Sequence, residues 1–306
     1  MPSVSAAHSS NAKFRPSYIP VAVFVGGTSG ICQATAEAFA RYTNGKAHIF
    51  IVGRNRPAAQ KIIASFPKPQ GPNSQFQHEF IGCDLRMMKN VRTLTKTLLE
   101  RVSTINFLVF RQNVPTLGPK QESSEGIDIR LALQYYSRWV LINDLLPGLR
   151  KARELGQDAK VMSILAAGQY SKLDIDDLGL KKNFTPWKAL MQTCAYNELM
   201  VAEYAKREPD IAFTHIYPGF VKTPGIYKTG HWIFWVIYPI LFPFLWFLAT
   251  PVKDCAESML FALFNGEKGM FRRNQTGDDI GMSNFPSAED AQFKLWEHTV
   301  ALTTEL

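Results

Sequence analysis

The sequence predicts an α/β protein built on a doubly wound parallel sheet, and three observations favour this fold class. Short apolar runs suited to buried strands alternate with helix-forming stretches along most of the 306 residues. The first run, residues 21–25, stops at two glycines and is followed by a helical stretch. The chain is 46% hydrophobic and 20% charged, which is a globular composition. We therefore expect one domain with one sheet.

The turn after the first strand has the composition of a phosphate-binding loop. Residues 26–31 read GGTSGI, and good helix formers follow from residue 34 to residue 41. Glycine allows a sharp turn and close approach of a ligand, and a helix N-terminus offers unpaired N–H groups to a pyrophosphate. We expect a dinucleotide to bind at Gly26, Thr28, Ser29, Gly30 and Ile31. The alternative is an ordinary strand–helix turn.

The second strand, residues 47–52, ends without an acidic residue. Gly53, Arg54, Asn55 and Arg56 follow it. In dinucleotide folds an acidic residue here binds the ribose 2′-hydroxyl of NAD, whereas a basic residue accommodates the 2′-phosphate of NADP. The sequence thus favours NADP over NAD, with Arg54 and Asn55 at the site. A solvated basic turn is the alternative.

The remaining elements continue the alternation. The predicted strands are residues 76–81, 107–110, 160–165, 211–217 and 269–273, and the predicted helices are 91–102, 127–149 and 185–207. Thr185 is the predicted N-cap of the last of these, and Thr250, followed by Pro251, is the predicted N-cap of another helix. The 127–149 stretch carries more large apolar side chains than one buried face needs. We expect it to pack on the body of the domain or on a second subunit of a homodimer.

Four short motifs, in the right order on the right elements, resemble the short-chain dehydrogenase/reductase superfamily. They are Gly26-xxx-Gly30-Ile31, Gly53-Arg54-Asn55, Asp84-Leu85 and Pro218-Gly219-x-Val221-x-Thr223. The resemblance covers about residues 21–269 and is greatest to divergent members from fungal natural-product pathways. It implies a Rossmann-like fold.

The resemblance also implies roles for the later motifs. Asp84, followed by Leu85, would meet the adenine ring, and Val221 and Thr223 in the Pro218-Gly219 loop would lie beside the nicotinamide carboxamide. Two departures concern the cofactor site. Cys32 replaces the third glycine of the family's first motif, and residues 110–113 replace the family's NNAG.

The catalytic positions depart further from the family pattern. The family uses a Tyr, a Lys four residues on, a Ser and an Asn, but no YxxxK follows the fifth strand here. Family spacing puts the Tyr position near Lys188, the Lys position near Gln192, the Ser position at Leu165 and the Asn position at about Gln134. The catalytic residues are therefore unassigned by the motif.

Three residues remain as catalytic candidates. Lys188 is the first, because a partly buried lysine beside a cofactor can be tuned to act as an acid or base. Tyr170 lies on the loop after the fifth strand, and Ser163 lies on that strand. The alternatives are a plain loop tyrosine and a buried structural hydroxyl. Tyr196 is too far along its helix from Lys188 to replace the missing tyrosine.

An uncharged, aromatic-rich stretch extends over residues 229–252. It is long enough for a bilayer about 30 Å thick, but one crossing would separate the closing strand from its sheet. We expect residues 229–249 to form an apolar lid over an apolar small-molecule substrate, with peripheral membrane contact through residues 231–249. The alternative is an aromatic patch buried in a dimer.

The chain ends, the cysteines and the net charge predict further properties of the protein. We expect a disordered tail over residues 1–20, a domain over 21–286 and a C-terminal helix over 287–306 that Ser287 caps. Four scattered cysteines predict no disulfide framework and no metal site, in a cytoplasmic protein that can be peripheral on a membrane's cytosolic face. The net charge of +8 suits an anionic cofactor or membrane. No basic cluster interleaved with aromatics points to nucleic acid.

Three functions are consistent with these patterns. The first is an NADP-dependent oxidoreductase acting on the carbonyl or alcohol of an apolar, natural-product-type substrate. The second is a non-redox isomerase, dehydratase or cyclase on the same scaffold, and the third is a catalytically silent binding protein.

Overall fold

One seven-stranded sheet organises the chain, in the strand order β3-β2-β1-β4-β5-β6-β7. The computed structural model describes residues 3–69, 76–114, 118–170, 172–223, 249–287 and 290–305. The strands are β1 Val21–Val25, β2 His48–Gly53, β3 His78–Gly82, β4 Phe107–Phe110, β5 Lys160–Ile164, β6 Ala212–Ile216 and β7 Gly269–Arg273. Every adjacent pair is parallel, which confirms the predicted α/β fold class. The order reverses between β1 and β4, so a topological switch point lies there.

Helices cover both faces of the sheet. Those with described bounds are α1 Val4–Asn11, α2 Gly30–Tyr42, α3 Arg56–Ala64, α4 Met88–Arg101, α5 Ile129–Leu131, α6 Ser137–Glu154, α7 Pro186–Arg207, α8 Val252–Phe264 and α9 Ala291–Thr304. Side chains of α2, α3 and α8 form one buried layer, and those of α4, α6 and α7 form the other. Because both faces are covered, the central strands are continuous apolar runs rather than alternating ones.

The N-terminal residues depart from expectation. A disordered tail over residues 1–20 is contradicted for the described residues 3–20, because α1 docks on α8. Asn11 is fully buried, and its Nδ2 donates to the main-chain oxygen and to Oε2 of Glu257, both at 2.9 Å. Phe14 stacks on Phe264 with ring centroids 4.0 Å apart. These contacts join residues far apart in the chain, which local composition does not reveal.

The predicted 127–149 helix is interrupted. A π-helical segment, Ala132–Tyr136, separates α5 from α6. The aromatic side chains of this segment are buried under α9: the Tyr135 hydroxyl lies 2.7 Å from Thr299 Oγ1, and the Tyr136 hydroxyl lies 2.8 Å from His298 Nε2. The body of the domain therefore supplies the packing partner.

Helix starts were predicted with mixed success. Thr185 caps α7 as expected, accepting a hydrogen bond from the Lys188 N–H at 3.0 Å. Ser287 does not cap the C-terminal helix, which begins at Ala291 after Asp290. Thr250 does not cap α8 either. It forms a parallel bridge with Val221 instead.

The uncharged stretch falls largely outside the described residues, which stop at 223 and resume at 249. The expected lid and membrane contact over 229–249 therefore lie outside the description. Its flanks are joined, because the Lys222 N–H donates to Thr250 O at 3.0 Å and the Thr250 N–H donates to Phe220 O at 2.8 Å. Among the described helices, none has the length and apolar character needed to cross a membrane.

Candidate functional site

The turn after β1 lies directly beside the end of β4. The Arg111 N–H donates to Val25 O at 2.9 Å. Gly26 has a φ of +80°, and a Cβ at this residue would lie 2.7 Å from the backbone nitrogen of Gln112. Glycine is therefore required for the two chain segments to approach at the switch point.

The first turn of α2 opens next to Gly26. Ser29 is the N-cap residue, yet its hydroxyl makes no capping hydrogen bond, so the first amides of α2 have no side-chain acceptor. Gly30 has a φ of +63°, and the nearest atom to a Cβ there would be the Thr223 methyl at 3.5 Å. We call the space bounded by Gly26, Ser29, Gly30 and Thr223 the glycine cradle.

Neighbouring residues of the motif have packing roles. The Thr28 methyl fills the space beside Gly53, where a Cβ would come within 2.9 Å of it, and the Ile31 side chain is buried in the core. The Cys32 thiol takes the place of the family's third glycine. It is fully buried, donates weakly to Val25 O at 3.6 Å, and has its pKa raised by burial to about 12. A neutral thiol is thus accommodated between α2 and β1.

The end of β2 presents an exposed basic side chain. Arg54 is exposed, whereas the Asn55 side chain caps α3 by accepting from the Ala58 N–H at 3.0 Å. Arg56 stacks over the Phe80 ring at 5.0 Å. Of the predicted pair at this turn, Arg54 is the one whose side chain is open to a ligand.

The Asp84-Leu85 motif lies at the neighbouring strand end. Asp84 forms an ion pair with Arg86 at 2.5 Å, and Leu85 is buried. The Arg86 hydrogen bonds lower the pKa of Asp84 against the opposing effect of burial, and the charge of Arg54 adds to the lowering. Arg54 and Asp84 therefore lie near each other at the ends of β2 and β3.

The loop after β6 is fixed on α8. The Pro218 oxygen accepts from the Cys255 thiol at 3.7 Å, and Val221 is buried in its bridge with Thr250. Gly219 has a φ of +73°, and a Cβ there would lie 2.9 Å from Gln275. This anchoring holds Thr223 over Gly30.

In the segment that replaces NNAG, the side chains of Phe110, Gln112 and Asn113 pack away from the cradle. Phe110 is buried in β4. The Gln112 side chain reaches Ser137 on α6, with Nε2 donating to Oγ at 3.3 Å, and Asn113 accepts from the side-chain amide of Gln134. Other elements therefore hold these three side chains.

Ser163 is engaged in a buried network. It is fully buried, donates to Asn197 Oδ1 at 2.5 Å and accepts from Arg138 Nη1 at 2.6 Å. A hydroxyl has one proton to donate, and this one is already used. The structure therefore supports the structural interpretation of Ser163. Arg138, which sequence reasoning missed, lies in an apolar helix whose pattern gives no sign of a buried cation.

The positions expected to hold the family's Tyr, Lys and Ser hold no equivalent groups. Lys188 is half-buried, with Nζ 2.6 Å from Asp174 Oδ2. Gln192 is buried, donates to Lys172 O at 3.2 Å, and leaves its Oε1 without a hydrogen-bond partner among the described residues. Leu165 is buried.

The two tyrosines differ in setting. Tyr196 is buried and donates to Leu178 O at 2.8 Å, so it is structural. Tyr170 is partly exposed, and burial, followed by the charge of Glu198, raises its pKa, while Arg272 opposes the change. Tyr170 keeps its proton at neutral pH.

A buried charge cluster that sequence reasoning also missed lies beneath the Tyr170 loop. Glu198 is fully buried and accepts from Arg272 Nε at 2.6 Å and from the Gly168 N–H at 2.7 Å. His215 Nδ1 lies 3.3 Å from its Oε1. Burial alone would raise the pKa of Glu198, but His215, Arg272 and the Gly168 N–H together lower it to about 2.

No family model matches this sequence. Several individual proteins are similar to it. An oxidoreductase of Emericella nidulans is 32% identical over 86% of this chain and 77% of its own length. A short-chain dehydrogenase/reductase of Stachybotrys chartarum is 27% identical over 85% of this chain and 77% of its own. The polyprenol dehydrogenase of Homo sapiens is 27% identical over 72% of this chain and 66% of its own.

Solved structures share the fold. A short-chain dehydrogenase from Streptomyces avermitilis superposes with a TM-score of 0.59 at 18% identity, over 95% of this chain and 96% of its own. L-Sorbose reductase from Gluconobacter frateurii, complexed with NADPH and L-sorbose, has a TM-score of 0.57 at 17% identity, over 80% and 89%. An NADH-dependent reductase complexed with NAD has a TM-score of 0.50 at 18% identity, over 66% and 78%.

Proposed function

The chain belongs to the short-chain dehydrogenase/reductase superfamily of oxidoreductases, and we propose that it uses NADP(H) to interconvert the carbonyl and alcohol of an apolar substrate. The glycine cradle is the observation that carries this proposal. It combines two positive-φ glycines with an uncapped helix start at the switch point of a parallel sheet. Such a site suits the pyrophosphate of a dinucleotide.

The preference for NADP rests on the end of β2. Arg54 is exposed there and no acidic residue follows the strand, so a 2′-phosphate finds a cation rather than a repelling carboxylate. Proteins with this fold use both nucleotides, since NADPH is bound by the sorbose reductase and NAD by the NADH-dependent reductase. The preference for NADP or NAD therefore depends on this chain's own residues.

An apolar substrate of natural-product type is supported by two observations. Residues 229–252 carry no charged side chain, and their described flanks are joined next to Thr223. Among the relatives are polyprenol dehydrogenases, whose name denotes a long apolar alcohol. The same stretch supports peripheral contact with the cytosolic face of a membrane through residues 231–249.

A side chain of this protein must supply the proton when a carbonyl is reduced to an alcohol. The nucleotide, when bound, supplies or accepts a hydride. In the reducing direction the carbonyl carbon gains the hydride and the oxygen gains a proton, so an alcohol forms. We assign the proton to Lys188, which stands at the family's Tyr position with its ammonium group held by Asp174.

The experiment combines turnover with a lysine variant. We expect the wild type to reduce a long-chain prenyl aldehyde such as farnesal, with one NADPH oxidised per alcohol formed. Lys188→Gln should lower kcat by about 100-fold and leave the Kd for NADPH unchanged, because general acid catalysis contributes at that scale. Lys182→Gln, at an exposed lysine of the same region, is the matched control.

Two outcomes would contradict the proposal. Product that forms without nucleotide oxidation would indicate the non-redox alternative on the same scaffold. Equal kcat for Lys188→Gln and Lys182→Gln would remove Lys188 from the proton transfer while leaving NADPH use intact.

A further inference from the structure

The residue that follows β4 is Arg111, and its backbone lies against Gly26 of the glycine cradle. A Cβ on Gly26 would lie 3.0 Å from the carbonyl carbon of Arg111, and the Arg111 N–H is bonded to Val25. In the family pattern a small neutral residue belongs to this segment. Here the segment carries an arginine, which directly follows β4 and lies beside the end of β1.

The side chain of Arg111 lies on the α2 and α8 side of the sheet. Phe107 and Val109 contribute to that buried layer, and Arg111 continues their alternation. Its charge acts on the thiols of Cys32 and Cys255, which stand in the first turns of α2 and α8. Neither helix has a side-chain cap at its N-terminus. The guanidinium thus lies near two positive helix ends.

No described group neutralises Arg111. Its side chain makes no hydrogen bond or ion pair with the described residues, and its Nε is buried and unpartnered. The two thiols are neutral, because burial raises the pKa of Cys32 and of Cys255 to about 12. Asp254, in the first turn of α8, forms no ion pair with it among these residues.

A second cation, Arg138, adds to the excess of positive charge. Arg138 is fully buried, and its hydrogen-bond acceptors among the described residues are all neutral, at Ser163, Ile164 and Gln112. Burial, together with the charge of Arg111, lowers its pKa to about 9, so it stays charged at neutral pH. A buried charge without a counter-charge is costly. An anion beside Arg111 would offset this cost.

We propose that Arg111 binds the pyrophosphate of the dinucleotide, together with the first amides of α2. This inference rests on the proposed function and extends it, because it assigns the charge that neutralises the phosphates to a residue outside the recognised motifs. A guanidinium forms paired, charge-assisted hydrogen bonds with phosphate oxygens. Arg111 therefore serves ligand binding at the expense of the stability of the nucleotide-free protein.

The proposal predicts opposite changes in stability and in binding. Arg111→Met removes a half-buried charge that no described group neutralises, so the nucleotide-free variant should melt about 2–4 °C higher than the wild type. Its Kd for NADPH should rise by about tenfold or more. Arg111→Lys keeps the charge and should bind NADPH with intermediate affinity. Lys61→Gln, an exposed lysine on α3, should change neither quantity.

The test measures melting temperatures with inorganic pyrophosphate, NADPH or adenosine, and NADPH affinity by calorimetry. Pyrophosphate and NADPH should stabilise the wild type more than Arg111→Met, whereas adenosine should not distinguish the two. Equal NADPH affinity in both proteins would overturn the Arg111 assignment alone, and so would a variant that loses stability together with binding. A wild type that responds to pyrophosphate but not to NADPH would overturn the proposed function and leave Arg111 as an anion ligand.

Discussion

Glu198 shows how one side chain depends on partners from several elements. It is a carboxylate of α7 that accepts from Arg272 of β7 and from the loop after β5, while His215 of β6 lies beside it. Removing the charge leaves the Arg272 guanidinium buried without its carboxylate. Loss of one partner of a buried pair costs about 3–5 kcal/mol.

We expect Glu198 to make stability depend on acid pH. Its pKa is lowered from 4.5 to about 2, so ionised Glu198 stabilises the fold above pH 4.5 and loses that contribution as the pH falls towards 2. The contribution is about 3 kcal/mol. Urea unfolding of wild type and Glu198→Gln should therefore differ most near neutral pH and converge in acid. Glu154→Gln, at an exposed glutamate, is the control, and a pH-independent difference would contradict the assignment.

The residues that sequence analysis identified are those with a local chemical signature. Gly26 and Gly30 follow a buried strand, and Arg54 follows another, so position along the chain was enough to suggest their roles. Arg111 and Arg138 were not identified as site residues. What distinguishes them is the lack of a counter-charge, which depends on side chains brought in from distant elements.

Among the elements, the strands were predicted most closely. Each predicted strand lies within about two residues of the observed one. The central strands β1, β2 and β4 are the clearest, because burial on both faces produces an apolar run. Helix starts were less predictable. Thr250 has the chemistry of a cap but is used in a bridge with Val221, a choice set by tertiary pairing rather than by local propensity.

The N-terminal helix α1 is the element that the sequence did not predict. Its docking relies on Asn11 and on Phe14, without an apolar stripe along the helix. Asn11→Ala would remove two buried hydrogen bonds to Glu257, although Oε2 keeps the Tyr42 hydroxyl as a donor, so we expect the free energy of unfolding to fall by about 1–3 kcal/mol. Ser9→Ala, on the exposed face of α1, should have little effect. Equal stabilities in urea unfolding would show that α1 does not support the fold.

At the scale of the whole molecule, the parallel strand order brings the site together. The carboxyl ends of β1, β2, β4 and β6 meet at one edge, where they carry the glycine cradle, Arg54, Arg111 and Thr223. The net charge of +8 adds an attractive field for an anionic nucleotide. The residues of this edge are present although the Tyr–Lys pair of the family pattern is absent. Our proposal therefore keeps the cofactor of the family but not its usual route of proton transfer.

The most direct test of the account is calorimetric titration of NADPH and of NADH into the full chain, with Arg54→Gln and Lys61→Gln alongside. We expect one saturable site per chain, with NADPH bound about tenfold or more tightly than NADH, and we expect Arg54→Gln to remove that difference while Lys61→Gln keeps it. A folded wild-type chain that takes up neither nucleotide would contradict the account.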